Sequence, residues 1–497
     1  MTSSIGEKLA SYSQSLKSNS WDLAVSLAVN HKNIPLDLFS QLIHEILADT
    51  LSSKFEKKSF VEKALFLIFF ISEDSRALAD LKDDLNAVFF KIKEICSVEY
   101  HPLNKVSKAI FGFLLHEKKE DFNLAFSESG FLLIENFSEG SEDLLFHPRK
   151  DAQLGVLSLF YAILTQNSSL LLQVIQLGKI QKAYFEPAQK IFSGVFIKEE
   201  EFSESWILFI NALFFWVLSL FENETGFEEL YKNLSSQLKL ELKESPYFSS
   251  ILYPALYAYL EKSKKLNFSS TILEKSALSY PISFEKGLGA TFYKYDSLTA
   301  LFSLSGIGTG FCSLEKNGIE ISSIGPQFLP LGEMRKFGLF RTALCKENLF
   351  RDLKIDRAES YINFQGWTRL SSDTSEELRP GKGWMHLQAL AEKSSLHLAV
   401  KWIDFFDSTE LYLVFFVKAE KVIIDKTFHL HPHTLDRYEG KSASLSFQKA
   451  KGSISVASDS EVNMQVIPLS GKDHFWGSQF LVAYHFPKDQ TISFQIN

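Results

Sequence analysis

Apolar positions along this chain change period near Pro281. Upstream they recur every three to four residues with few turn-formers, the spacing that places one apolar stripe on a helix. That pattern predicts helices starting at Ser20-Trp21-Asp22 and running through Leu27, then over 35–51, 76–96, 102–116, 150–166, 169–193, 203–221, 226–242 and 247–264. Ser59-Phe60-Val61-Glu62 has the capping-box form and is expected to open the run Ala64–Ile71, because hydroxyl and carboxylate can each satisfy an orphan N–H of the first turn. Breaks are expected at Pro102, Pro148, Asn167-Ser168-Ser169 and Pro246.

Downstream the period is two. Phe311–Glu315 and Ile319–Ile324 flank Asn317-Gly318, a hairpin signal because both central positions tolerate positive φ. Leu396, Leu398, Val400 and Trp402 share one face of their strand, and Glu410–Asp425, Ser442–Gln448, Ser453–Ala457, Val462–Ile467, Gln479–Phe486 and Thr491–Ile496 read as further strands. Ser371–Lys382 reads as a surface loop and 265–282 as a short packed connection. No stretch between strands is long and helical enough for a βαβ crossover. The expectation is an α+β multidomain chain. A helical array over residues 1–280, either an α-solenoid or a partial α/α toroid, precedes an antiparallel β-sandwich or jelly-roll over 281–497.

Charge then narrows the partners. Residues 1–280 carry 28 basic and 36 acidic side chains and residues 281–497 carry 24 of each, so the whole net charge of −8 lies in the helical part. An acidic helical surface speaks against nucleic acid, which needs a basic stripe. Cys96, Cys312 and Cys345 lack metal-type spacing and fit buried thiols in a reducing compartment. The first residues lack a basic and apolar leader, so a cytoplasmic location is expected, with a signal-less export route left open. Trp206 to Phe221 is almost wholly apolar but short of the roughly 20 residues of a membrane span, and it carries Asn211 and Ser219. It reads as a central helix, and no transmembrane segment is expected.

Candidate chemistry is sparse. His429, His431 and His433 alternate, and on an extended strand they would share a face about 7 Å apart with Asp436 behind, a place for a divalent metal. The opposing reading is a solvated edge, since Pro432 marks an edge strand or strand exit; no cofactor is expected. Trp367, Trp384 and Trp476 each adjoin a glycine and can form flat platforms for sugar rings, with Arg369, Gln388, Asp473 or His474 for the hydroxyls, unless they are core like Trp402. Gly306-Ile307-Gly308-Thr309-Gly310 precedes a strand, which makes it a hairpin loop instead of a phosphate cradle. Tyr100, His101, His147 and Arg149 offer acid–base residue types at helix boundaries, where histidines usually cap or are solvated.

The layout, helices over about half of the chain followed by an antiparallel sandwich, resembles that of polysaccharide lyases of the heparinase II/III and hyaluronate-lyase type. The resemblance implies a Tyr or His that removes the proton α to a uronate carboxylate, and an Asn, Gln, Arg or metal that neutralises that carboxylate. On that view Tyr100, His101, His147 and Arg149 would face the Trp384 region. Two functions are thus weighed: a binding protein for a glycan or a protein partner, and a lyase-like enzyme. With no convergent catalytic motif in the sequence, binding is the expectation and the lyase the alternative.

Overall fold

The computed structural model describes residues 9, 19–52, 55–98, 102–126, 132–133, 148–188, 204–221, 226–238, 252–262, 284–304, 310–327, 350–371, 380–403, 412–450, 452–469, 477–485 and 490–497. Two compact units divide it, one drawn mainly from the helices up to Lys262 and one mainly from the strands that begin after Phe284.

The helical unit contains α1 (Ser20–Val29), α2 (Leu36–Asp49), α3 (Lys57–Ile71), α4 (Ser75–Asp80), α5 (Lys82–Val98), α6 (Pro102–His116), α7 (Pro148–Thr165), α8 (Ser168–Ala188), α9 (Glu204–Ser219), α10 (Phe227–Gln237) and α11 (Leu252–Lys262). Between α6 and α7 a small pair, β1 (Ala125–Phe126) and β2 (Leu132–Leu133), runs antiparallel. Local chemistry explains several ends. Asn19 caps α1 by accepting the Asp22 N–H at 2.8 Å, and Asp74 caps α4 through the N–H groups of Arg76 and Ala77. The expected capping box at Ser59 is displaced: α3 starts at Lys57 with Glu56 at the N-cap, so Ser59 lies inside the first turn. The span expected over 76–96 is two helices, α4 and α5, with Leu81 between them.

Helix α9 is the apolar segment of the sequence. Between Ile207 and Leu218 all but Trp216 are buried, and the Asn211 side-chain N–H donates along the helix to the Ile207 carbonyl at 2.9 Å. No helix among the described residues is long and apolar enough to cross a membrane.

The strand unit begins with α12 (Phe284–Leu288) and continues as β3 (Ala290–Tyr295), β4 (Leu298–Ser303), β5 (Cys312–Lys316), β6 (Ile319–Gln327), β7 (Phe350–Ala358), β8 (Tyr361–Ser371), β9 (Pro380–Glu392), β10 (Ser395–Ile403), β11 (Tyr412–Lys418), β12 (Lys421–Ile424), β13 (Phe428–Leu430), β14 (Tyr438–Lys449), β15 (Gly452–Pro468), β16 (Phe480–His485) and β17 (Thr491–Ile496). These strands form one 15-stranded antiparallel sheet in the order β3-β4-β5-β6-β11-β16-β15-β17-β10-β9-β8-β7, with β12, β13 and β14 branching from β15. Asn317 and Gly318 turn the β5–β6 hairpin at φ 53° and 77°.

The sheet curls so that one face closes on itself. Leu314, Ile321 and Phe415 from the early part of the order share a single apolar core with Phe364, Leu387, Leu398 and Trp402 from the late part. Removing that area from water is the main favourable term. Polar pins lie at the rim. The Tyr293 hydroxyl on β3 lies 3.0 Å from the Ser360 carbonyl and 2.8 Å from the Lys393 carbonyl, in the turns that join β7 to β8 and β9 to β10. The Lys316 ammonium donates to the Ser394 carbonyl at 2.6 Å. Arg357 on β7 pairs with Glu285 and donates to Thr291 Oγ1 at 3.1 Å.

Candidate functional site

Alternation along β8, β9 and β10 sends Ile362, Phe364, Thr368, Met385, Leu387, Ala389, Leu398, Val400 and Trp402 into the core. The odd positions of β8 and the even ones of β9 therefore face outward: Asn363, Gln365 and Trp367 on one strand, Trp384, His386 and Gln388 on the next. All six are half-buried, so they form a packed outer face instead of a fringe of free side chains.

Register decides which of these groups meet. Arg351 on β7 pairs with Trp367, Trp367 with His386, and His386 with Lys401 on β10, giving one line across four strands. The next line reads Lys354, Gln365, Gln388 and Ala399. On the other side Arg369 pairs with Trp384 and Trp384 with Ile403. The Trp367 and His386 rings lie 4.8 Å apart, and the Arg351 guanidinium reaches across β8 to sit 4.1 Å from the centre of the Trp384 ring and 5.9 Å from that of Trp367. Both distances are within reach of a cation–π attraction, which holds the guanidinium over the two indoles.

Burial, and then the positive charge of Lys401, holds the His386 imidazole below its ordinary pKa of 6.5. Near neutral pH the ring is therefore uncharged and can donate from one nitrogen and accept at the other. The buried Oδ1 of Asn363 makes no hydrogen bond among the described residues. Indole faces, a guanidinium, a neutral imidazole and three carboxamides are together the groups that stack on a sugar ring and hydrogen-bond its substituents.

Of the residues marked in the sequence, the structure brings Trp367, Trp384 and Gln388 onto this face, and places Arg369 in its register. Trp402 lies on the opposite, core side at 3 % exposure. Tyr100, His101, His147, Asp473, His474 and Trp476 lie outside the described residues; Arg149 falls in the first turn of α7, its side chain also outside them. The histidine triad does not share a strand face. β13 ends at Leu430, Pro432 has no N–H to continue a ladder, and His433 turns left-handed at φ 63°. All three imidazoles are exposed, and among the described residues no group of three or more His, Cys, Asp or Glu could hold a metal. Sequence reasoning missed Arg351, His386 and Lys401. His386 was within reach as the second residue after Trp384 on an alternating strand, whereas Arg351 and Lys401 join only through register.

No family model matches the sequence, and no curated protein does. Among solved structures, a Paenibacillus xanthan lyase matches at 8% identity with a TM-score of 0.50 over 99% of this chain. The chain shares that lyase's fold. It spans 59% of the lyase's length. A chondroitinase AC lyase (8% identity, TM-score 0.36, 96% of this chain and 83% of the other) and the 4-alpha-glucanotransferase of Thermococcus litoralis (10% identity, TM-score 0.31, 76% and 57%) match too loosely to carry an argument.

Proposed function

We propose that this protein is a carbohydrate-active protein of polysaccharide-lyase type, which moves the lyase reading ahead of simple binding. The observation that carries it is the likeness to the xanthan lyase over 99% of this chain. In this reading, residues 1–280 form a toroid-like helical half and residues 281–497 a β-sandwich. The lyase reaction needs a base at the α-proton of a uronate and a group that neutralises its carboxylate. Tyr100, His101, His147 and Arg149 are the first residues to substitute.

The test is incubation of purified protein with xanthan and other uronate-containing polysaccharides. The readout is the ultraviolet absorbance of the new carbon–carbon double bond. Product formation that is lost in at least one of Y100F, H101N, H147N and R149M supports the reading. No product on any polymer from well-folded protein overturns it. A second reading, glycan binding without cleavage, is favoured by the outer face of β7–β10, where stacking and hydrogen-bonding groups gather with no nucleophile–base pair beside them among the described residues. Retention of a polysaccharide without unsaturated product is the outcome that selects it.

A further inference from the structure

The outer face of β7–β10 has a charge that the chain as a whole does not suggest. Net charge is −8, yet the two adjacent register lines through Arg351 and Lys354 hold three cations, Arg351, Lys354 and Lys401, and no carboxylate. Carboxylates enter those strands only further along, at Asp356 and at Glu392, and in the β7 bulge at Asp352. None of the three cations forms an ion pair among the described residues. The two indoles are the partners of Arg351.

A guanidinium lying against an indole keeps its edge N–H groups in a planar fork, which matches the two oxygens of a carboxylate or sulfate. Stacking also restricts the side chain beforehand, so less entropy is lost on binding. Lys401 stands three strands away, roughly 14 Å at about 4.8 Å per strand. Between them lie Trp367 and His386, an aromatic floor long enough for a sugar chain running across the strands.

We propose that this face is a binding surface for anionic glycans, with Arg351 taking an oxyanion substituent, Trp367 and Trp384 the sugar faces, and Lys401 a second oxyanion. The inference rests on the carbohydrate reading above but not on cleavage. Its occupant is set by charge complementarity: a neutral glycan would use the indoles and leave three cations unanswered.

The experiment is affinity electrophoresis and titration calorimetry of the full chain with hyaluronate (carboxylates only), dextran sulfate (sulfates only) and neutral dextran. Retention by one or both charged polymers and not by dextran is expected; which of them binds tells carboxylate from sulfate. R351M should weaken that binding at least about tenfold, as expected for a lost charge-assisted contact. R351K should restore part of it, and added salt should weaken the wild type more than R351M. Because Arg351 is exposed, the variant should fold; K401M, with a smaller loss, provides an independent arm. Equal binding of dextran, or charged-polymer binding unchanged in both R351M and K401M, overturns the inference while leaving the lyase reading to its own assay. If no polymer binds, this surface is refuted, and if no unsaturated product forms either, the carbohydrate reading falls with it.

Discussion

Tyr293 offers a graded test of how the sheet closes. Its ring is 5 % exposed in the shared apolar core, and its hydroxyl bridges towards the two turns that carry Ser360 and Lys393. Burial first, then nearby charge, holds the phenol above its usual pKa, so it stays a donor through the neutral range. Tyr293→Phe keeps the ring and removes one O–H. The Ser360 carbonyl retains the Lys393 N–H at 2.7 Å, and Lys393 is exposed enough for water to replace the lost donor. The cost should therefore be that of one net hydrogen bond, about 1 kcal/mol. Tyr293→Ala also empties a ring-sized space and should cost about 4 kcal/mol. Urea unfolding followed by tryptophan fluorescence measures both, since Trp402 lies in the same core. Hydrogen exchange at the Lys393 amide should quicken in both variants. Equal losses in the two variants, or none in Tyr293→Phe, would refute the account of the rim pin.

Three further outcomes follow from the same geometry. Gly310→Ala should cost about 2–3 kcal/mol in thermal or urea unfolding, because φ is +67° and the new Cβ would meet the Ile324 carbonyl and lie 2.8 Å from Gly325 Cα; Gly318→Ala, at φ +77° with open space, should cost only about 1 kcal/mol. The pKa of His386 is lowered in the fold, so the unfolded chain takes up a proton near pH 6.5 where the folded one does not. Stability should therefore fall as pH drops below about 6.5 towards the lower folded value, and H386N should flatten part of that slope; His116, lowered by burial and then Lys82, adds a slope of the same sign. Cys312 is fully buried and its thiol is pushed well up by burial, so a thiol reagent should modify half-buried Cys96 in native protein and reach Cys312 only on unfolding, as peptide mapping would show.

Periodicity by itself placed most of the helices and many of the strands, because a 3.6-residue or a two-residue apolar repeat can bury its stripe in only one kind of backbone; it singled out none of β3, β4, β7, β8 and β9. The helix over 102–116 and the turn at Asn317-Gly318 were readable from a dozen residues each. So was the inward face of Leu396, Leu398, Val400 and Trp402. Local strength also misled: the alternation of His429, His431 and His433 looks like a strand face, but Pro432 and the left-handed His433 end it. What no local pattern could supply was the order of strands in the sheet. β17 lies between β15 and β10, and β7 closes the far edge, so partners are far apart along the chain. Within β7–β10, which pair as consecutive neighbours, register sets Arg351 over Trp384 and draws Lys401 level with His386. A strand's sequence fixes which side chains share its face through the alternation of Cβ directions. Which neighbouring strand supplies the charge beside them depends on hydrogen-bond register and core packing across the whole sheet, and only the tertiary structure decides that.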